Sequence, residues 1–391
     1  MIQYKAMNIA VDLTQIPANK TGIGIYALNL VREIIRLNNH TSAFTFYFFA
    51  QDDDEEWKQL IKDNSRCRLV TIKSRFFRKL ILRFFFEQIL FPRKCRKLNI
   101  DAIFSFHYTI PYLTRIKRVV TIPDMTFYLF PYMHQKIKRC FFKSLIPISL
   151  KKSDKIVTIS ESTKNDMLKR FNHIPSGKIE VIHLGVNGVN MSNPPGHLTD
   201  HLSRYGLTEK KYFLYVGTLE PRKNIPGIIE AFNHVITANK EYTKNYKLVI
   251  AGQKGWFHKK IFKTVKKYHL EESVVFTGYV KGEIKQSLLA NAFLFVYPSF
   301  YEGFGLPVLE AMAWGVPVIT GNVSSLPEVA GEAALLIDPR QWQEIAEAML
   351  KLLSDPSRYE NMSKKSLEQA KKFSWQRTAQ KTLELFALIL N

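Results

Sequence analysis

The 391-residue chain has only three cysteines, Cys67, Cys95 and Cys140. Their spacing fits neither a zinc site nor a redox pair, so free thiols of a reducing cytosol are expected. Long apolar runs are missing too: Arg, Glu or Lys breaks each one before the roughly 18 to 20 residues of a membrane span. No repeat or low-complexity tract occurs, and MIQYKAMNIAVDL at the start enters a strand pattern without the layout of a signal peptide. Acidic residues are scarce. Against 56 Lys and Arg stand 34 Asp and Glu, a formal net charge of +22. Residues 1–190 hold 31 basic and 15 acidic residues, a net +16, so the excess sits in the first half. A basic surface suits nucleic acid, an anionic membrane or an anionic substrate. No zinc finger, RNP-type strand or basic heptad region accompanies it, so nucleic acid is not an expected partner.

What the chain does have is alternation. Apolar runs such as YFLYVG (212–217), YKLVIAG (246–252), SVVFTG (273–278), AFLFVYP (292–298) and VPVIT (316–320) alternate with helical patterns. The first half does the same with AMNIAVDL, FTFYFFA, CRLVTI, DAIFSF, KRVVTIP and KIVTIS. Continuous apolar strands separated by helices predict an α/β protein with parallel sheets covered on both faces. The polar stretch 186–206, rich in Gly, Pro and Asn, reads as a linker. Two doubly wound, Rossmann-like domains are therefore expected, at 1–190 and 205–373, facing a central cleft.

Special residues follow the strands directly, where such sheets bind ligands. Gly217 precedes TLEPRKN, Gly252 precedes QKGW, and Gly278 precedes Tyr279 and Val280. TGIGIY, with Gly22 and Gly24, follows the first strand and opens a helix. In SFYEGFGLPVLEAMAWGVPVIT (299–320) two glutamates, Glu302 and Glu310, flank a Gly-Phe-Gly turn. Gly303 and Gly305 permit positive φ, and Pro307 suits the first helical position. The helix start offers free amides and a positive dipole end to an anion. Carboxylates on either side of an anion make electrostatic sense if they hold hydroxyls, a sugar on one side and a ribose on the other.

These residues resemble the retaining family 4 glycosyltransferases, and TGIG, VVTIPDMTF, IVTISEST, IEVIHLGVN, VGTLEPRKN, FTGYV and the Glu-x7-Glu stretch carry the resemblance in order. GTLEPRKN is most similar to the mannosyl- and rhamnosyltransferase-like members of surface polysaccharide synthesis. The resemblance implies the GT-B fold, with a last helix at about 374–391 crossing back to the first domain. It implies that Lys223, beside Arg222, binds the donor diphosphate, and that backbone at Tyr279 and Val280 meets the nucleobase. Glu302 would hold the transferred sugar, amides of Gly303, Phe304, Gly305 and Leu306 would hold sugar or phosphate, and Glu310 the ribose. Gly22 and Gly24 would let their loop close over the diphosphate. Many members have His-Asp where this chain has Pro123-Asp124, and His107 and His134 are candidates to replace that histidine. Many also have arginine where this chain has Thr218, with Arg222 to supply the charge.

The implied activity is retaining hexosyl transfer, with GDP-mannose as first donor candidate, to a glycan or polyprenyl-linked glycan acceptor. No metal and no cofactor is expected, the two cations serving the leaving diphosphate. A catalytically silent nucleotide-sugar or polyanion binder is the alternative, favoured by Pro123 and the charge and opposed by intact Glu302, Glu310 and Lys223. Ser325 and Glu328 read as a capping box, Ser160 as a cap, and Trp256 and Trp314 as core. RFFRKLILRFFFEQILFPRKCRK (75–97) admits two readings. On a helical wheel Ile81, Phe84 and Phe85 share an apolar side, opposite Arg75, Arg78, Lys79 and Arg83. That segment either packs on the first sheet or lies on an anionic membrane, at the inner face of the cytoplasmic membrane.

Overall fold

Two parallel sheets organise the chain, and each follows from strands that are apolar on both faces. The computed structural model describes residues 7–18, 20–38, 43–62, 66–73, 79–187 and 199–390. In the first sheet, β1 (Met7–Asp12), β2 (Phe44–Gln51), β3 (Cys67–Ile72), β4 (Ala102–Ser105), β5 (Lys117–Ile122), β6 (Lys155–Thr158) and β7 (Ile179–Val181) lie in the order β3-β2-β1-β4-β5-β6-β7. Every pairing is parallel. In the second, β8 (Tyr212–Val216), β9 (Lys247–Ala251), β10 (Val274–Gly278), β11 (Leu294–Tyr297), β12 (Val318–Gly321) and β13 (Ala334–Ile337) lie in the order β10-β9-β8-β11-β12-β13, again all parallel. Parallel neighbours need crossover helices, which bury both faces; Phe46, Phe48, Leu214, Val249 and Phe295 are all fully buried.

The chain divides into one unit of Met1–Gly185 with Trp375–Asn391 and another of Val186–Ser374. Each sheet reverses its winding once, between β1 and β4 and between β8 and β11. Such switch points open a crevice outside the carboxyl ends of the strands, and they are where ligand groups are expected. The last helix, Trp375–Leu390, packs on the helix Ile23–Asn38 and the first sheet. Phe386 meets Phe44, Phe46 and Phe104, and Trp375 stacks on Tyr26. The 186–206 stretch lies largely outside the described residues. Among the described residues, no helix is long and apolar enough to cross a membrane.

The segment 80–97 corrects the helical-wheel expectation. It forms a helix at Leu80–Phe85, a π segment at Phe86–Leu90 and a second helix at Phe91–Lys97. Arg83, expected on a solvated basic face, is buried, with Nη1 3.5 Å from the buried Glu87 carboxylate. Ile81 and Phe85, on the apolar side of the wheel with Phe84, point outward at 79% and 50% exposure, which disagrees with packing of that side on the sheet. Phe86 and Phe91 fill the core instead. Arg75 and Arg78 lie outside the described residues.

Candidate functional site

The carboxyl edge of the second sheet is lined by glycine for steric reasons. Gly217 N–H donates to Ala251 O and Gly252 N–H to Gly278 O, so the ends of β8, β9 and β10 are laced together. A Cβ on Gly252 would stand 1.9 Å from Gly217 O, so no other residue fits there. Beyond Gly278, Val280 is buried while Tyr279 remains 40% exposed.

At the β8/β11 switch point the charges converge. After β8 the chain turns through Glu220, Arg222 and Lys223; after β11 it reaches Tyr301 and Glu302. Lys223 Nζ donates to Glu302 Oε1 at 2.5 Å and to the Tyr297 hydroxyl at 2.6 Å. Arg222 meets Glu302 Oε2 at 2.7 Å, Glu220 Oε1 at 2.7 Å and Tyr301 O at 2.5 Å. Burial would raise the Glu302 carboxyl, but Arg222 and Lys223 overcome it and hold the group at about 2. Burial lowers Lys223, and Arg222 beside it adds to that shift against the pull of Glu302. The cluster is a buried carboxylate clamped by two cations, with Glu220 as the second acid.

The turn that carries Glu302 is held from behind by two serines. Glu302 N–H donates to Ser324 Oγ at 2.9 Å, and Ser325 Oγ donates to Glu302 O at 2.9 Å and Phe304 O at 2.8 Å. Ser325 therefore braces this turn and does not close the expected capping box with Glu328: its side chain caps no amide of the helix Leu326–Ala330. Gly305 has φ +106° and caps the helix Leu306–Ala313, where Pro307 carries no N–H and Val308 N–H donates to Gly305 O at 2.9 Å. Gly303, expected to share that freedom, is not among the residues with positive φ. Glu310, one turn into the helix, receives a 2.6 Å bond from Lys285 on the helix Gly282–Ala290.

The first sheet carries its own polar groups at the β1/β4 switch point. Asp12 Oδ1 accepts from Thr14 Oγ1 at 2.6 Å, and Gln15 Nε2 lies within 3.4 Å of Asp12, Glu87 and Thr109. Burial lifts Glu87 to about 7, with Arg83 opposing it. Gly22 has φ +49°. A Cβ on Gly24 would stand 3.0 Å from Lys20 Cβ, so that glycine makes room for a lysine stem. Lys20 is itself buried and bonded to Asp54 at 2.9 Å and Glu56 at 3.1 Å. Asp124 Oδ1 accepts from Tyr108 OH at 2.6 Å, Thr126 N–H at 2.9 Å and Thr126 Oγ1 at 2.6 Å. Burial lowers His107, next to Tyr108, to about 4, whereas His134 stacks on Phe127. Ser160 caps its helix through Thr163 N–H, and Trp314 is core while Trp256 is half-buried.

Lys223, Arg222 and Glu302 thus share one cluster in the second unit, and Glu310 stands eight residues further on the same loop-helix element. Asp124, Gly22 and Gly24 belong to the first unit. Tyr297, Glu220, Ser324 and Lys285 were not anticipated. The tyrosine and Lys285 give no local signal, because only the strand order brings them to the site. Glu220 sits inside the quoted TLEPRKN and was legible as a charge, though not as the partner of Arg222.

The family described as glycosyl transferases group 1 matches residues 201–369, and glycosyltransferase family 4 matches residues 20–188. An O-antigen chain mannosyltransferase B of Escherichia coli is 33% identical over 375 residues, covering 94% of this chain and 96% of the relative. An O-antigen chain mannosyltransferase of Salmonella typhimurium, RfbU, is 29% identical over 266 residues, 67% of this chain and 69% of the relative. The crystal structure of WaaG, a glycosyltransferase involved in lipopolysaccharide biosynthesis, superposes with a TM-score of 0.75 at 15% identity, covering 96% of this chain and 99% of that one. The chain therefore belongs to the family 4 glycosyltransferases, enzymes that move a sugar from a nucleotide-sugar donor to a glycan acceptor, and has their GT-B fold.

Proposed function

We propose that the chain is a retaining, metal-independent mannosyltransferase that takes mannose from GDP-mannose and extends an O-antigen glycan. The observation that carries this reading is the clamp of Arg222 and Lys223 on Glu302 beside the helix start at Leu306. The Escherichia coli relative, matched along nearly its whole length, supports the choice of mannose and of O-antigen. The acceptor is a glycan, free or carried on a polyprenyl lipid, and the enzyme works at the cytoplasmic face of the membrane.

In this reading the donor diphosphate enters between the cations and the start of the Leu306–Ala313 helix, whose positive dipole end faces it. Glu302 turns its carboxylate to the hydroxyls of the sugar, and Glu310 holds the ribose. As the bond from the sugar's anomeric carbon to the diphosphate breaks, negative charge grows on the leaving oxygen. Arg222 and Lys223 are fixed there in advance and stabilise it without reorganising. The acceptor oxygen bonds to the same face of that carbon, and its proton passes to the leaving diphosphate. No protein base is required.

The test is a thermal-shift and transfer screen with GDP-, UDP-, ADP- and dTDP-sugars, with the anomeric configuration of the product read by NMR. GDP-mannose is expected to stabilise the protein most, because a cognate ligand stabilises the folded state with its occupancy. Transfer with inversion overturns the retaining mechanism, preference for another sugar overturns the donor, and binding without turnover favours the silent-binder alternative.

A further inference from the structure

The first unit exposes an apolar patch around one aromatic contact. Phe84 meets Phe141 edge-on at 5.6 Å and Tyr112 at 6.3 Å, which joins the 80–97 segment, the loop after β4 and the helix Lys136–Lys152. Beside each of these rings stands an exposed aliphatic side chain. Ile81 lies one turn before Phe84, Leu113 follows Tyr112, and Ile137 lies one turn before Phe141, at 79%, 77% and 77% exposure. Phe85 adds a half-exposed ring.

The two helical segments that carry this patch are strongly basic. Residues 80–97 carry five Lys and Arg, and residues 136–152 carry six, against a single carboxylate, Glu87. Glu87 is buried and bound up with Arg83, so this surface presents no acid from either segment. Protruding aliphatic and aromatic tips ringed by cations are suited to lipid headgroups with acyl chains beneath them. Nucleic acid would match the cations, but it offers nothing to isolated isoleucine and leucine tips.

We propose that this patch is the membrane-docking surface, seated on anionic lipid with Ile81, Phe85, Leu113 and Ile137 inserted. The inference rests on the proposed work at the membrane face and adds the loop after β4 and the helix Lys136–Lys152 to the contact. Arg83 takes no part, since it is spent on Glu87.

Cys140 provides a reporter, as it is exposed on the same helix while Cys67 and Cys95 are buried. An environment-sensitive dye on Cys140 should shift to the blue with vesicles of phosphatidylglycerol and phosphatidylcholine, and stay unchanged with phosphatidylcholine alone. In flotation, I81S/F85S/I137S should bind these vesicles at least about tenfold more weakly than the parent, with unchanged nucleotide-sugar stabilisation showing that the fold is intact. K136Q/K138Q should lose about fivefold per charge at low salt, and less as salt shortens the Debye length. Equal flotation of the apolar triple variant and the parent overturns the patch. So does binding to phosphatidylcholine alone as strong as to the mixed vesicles, or tighter binding to duplex DNA. Transfer to a water-soluble acceptor is unaffected by either variant, so loss of docking and failure of the transferase reading are separate results.

Discussion

Lys223 and Glu302 are 79 residues apart in the chain, yet Nζ and Oε1 stand 2.5 Å apart in a buried pair. The β8/β11 switch makes this contact, and it brings Arg222 and Glu220 to the same point. Breaking one half of a buried pair typically costs about 3–5 kcal/mol, and here Arg222 stays on Glu302 and offsets part of that. Lys223→Met should therefore lower thermal stability as well as turnover. A variant with wild-type melting and wild-type kcat would remove Lys223 from the site.

Glu302→Gln keeps the shape of the side chain and removes its charge. Turnover should fall by about 10²–10³, the size of effect seen when one preorganised group at a reacting centre is lost. Donor affinity should change far less. Steady-state kinetics with the donor varied separates the two, and a pure rise in KM speaks against contact with the transferred sugar. Since Glu302 is held at about 2, the acid limb of the pH–rate profile above pH 4 should not move with this residue.

Glu310 should act in the opposite sense. Glu310→Ala removes a charged acceptor from the ribose, and such bonds contribute about 1.5–3 kcal/mol, or roughly tenfold to a hundredfold in donor KM. Lys285→Met should reproduce part of the loss, because Lys285 orients that carboxylate at 2.6 Å. With a 2′-deoxy donor both effects should shrink. Unchanged KM in both variants would place the ribose elsewhere.

Glu87 predicts a pH dependence of stability. Its folded pKa is raised from 4.5 to about 7 by burial, so between those values the native state binds more protons than the unfolded one. Stability is greatest below the unfolded value and declines as pH rises through the folded one, by up to about 3 kcal/mol. Melting curves from pH 5 to 8 should show that decline, and Glu87→Gln should flatten it. An unaltered slope in the variant would assign the decline to another group.

Transfer should survive EDTA. Loss of activity on chelation, restored by a divalent cation, would take the leaving-group role away from Arg222 and Lys223.

The sheets and their ligand edges were legible because a strand buried on both faces leaves a continuous apolar run, and a glycine that ends it marks a close approach. Glu302, Glu310 and Lys223 were legible as charges set against such glycines. Tyr297 was not, since a tyrosine in FLFVYP is indistinguishable from core until the neighbouring strand supplies Lys223. Ser325 satisfied a helix-cap pattern by its spacing, but the backbone carbonyls of the preceding turn were better acceptors for its hydroxyl than the cap was a use for it. The 80–97 segment stayed ambiguous for a geometric reason. A helical wheel sets Arg83 apart from Ile81 and Phe85, but it does not say which of the two sides meets the sheet, and the buried Glu87 partner that draws Arg83 inward lies a turn further on.

Gly252 has a consequence for anyone altering donor choice. The Gly217 carbonyl oxygen occupies the volume of any side chain at Gly252, whereas a Cβ on Gly217 would meet only the tip of a side chain, the Tyr215 hydroxyl at 2.7 Å. A mutational library at Gly252 should return mostly misfolded protein, whatever sugar it was screened against. Thr218 and Tyr279, the latter 40% exposed on the same edge, are outside the strands and are the positions to vary in a screen for altered donor choice.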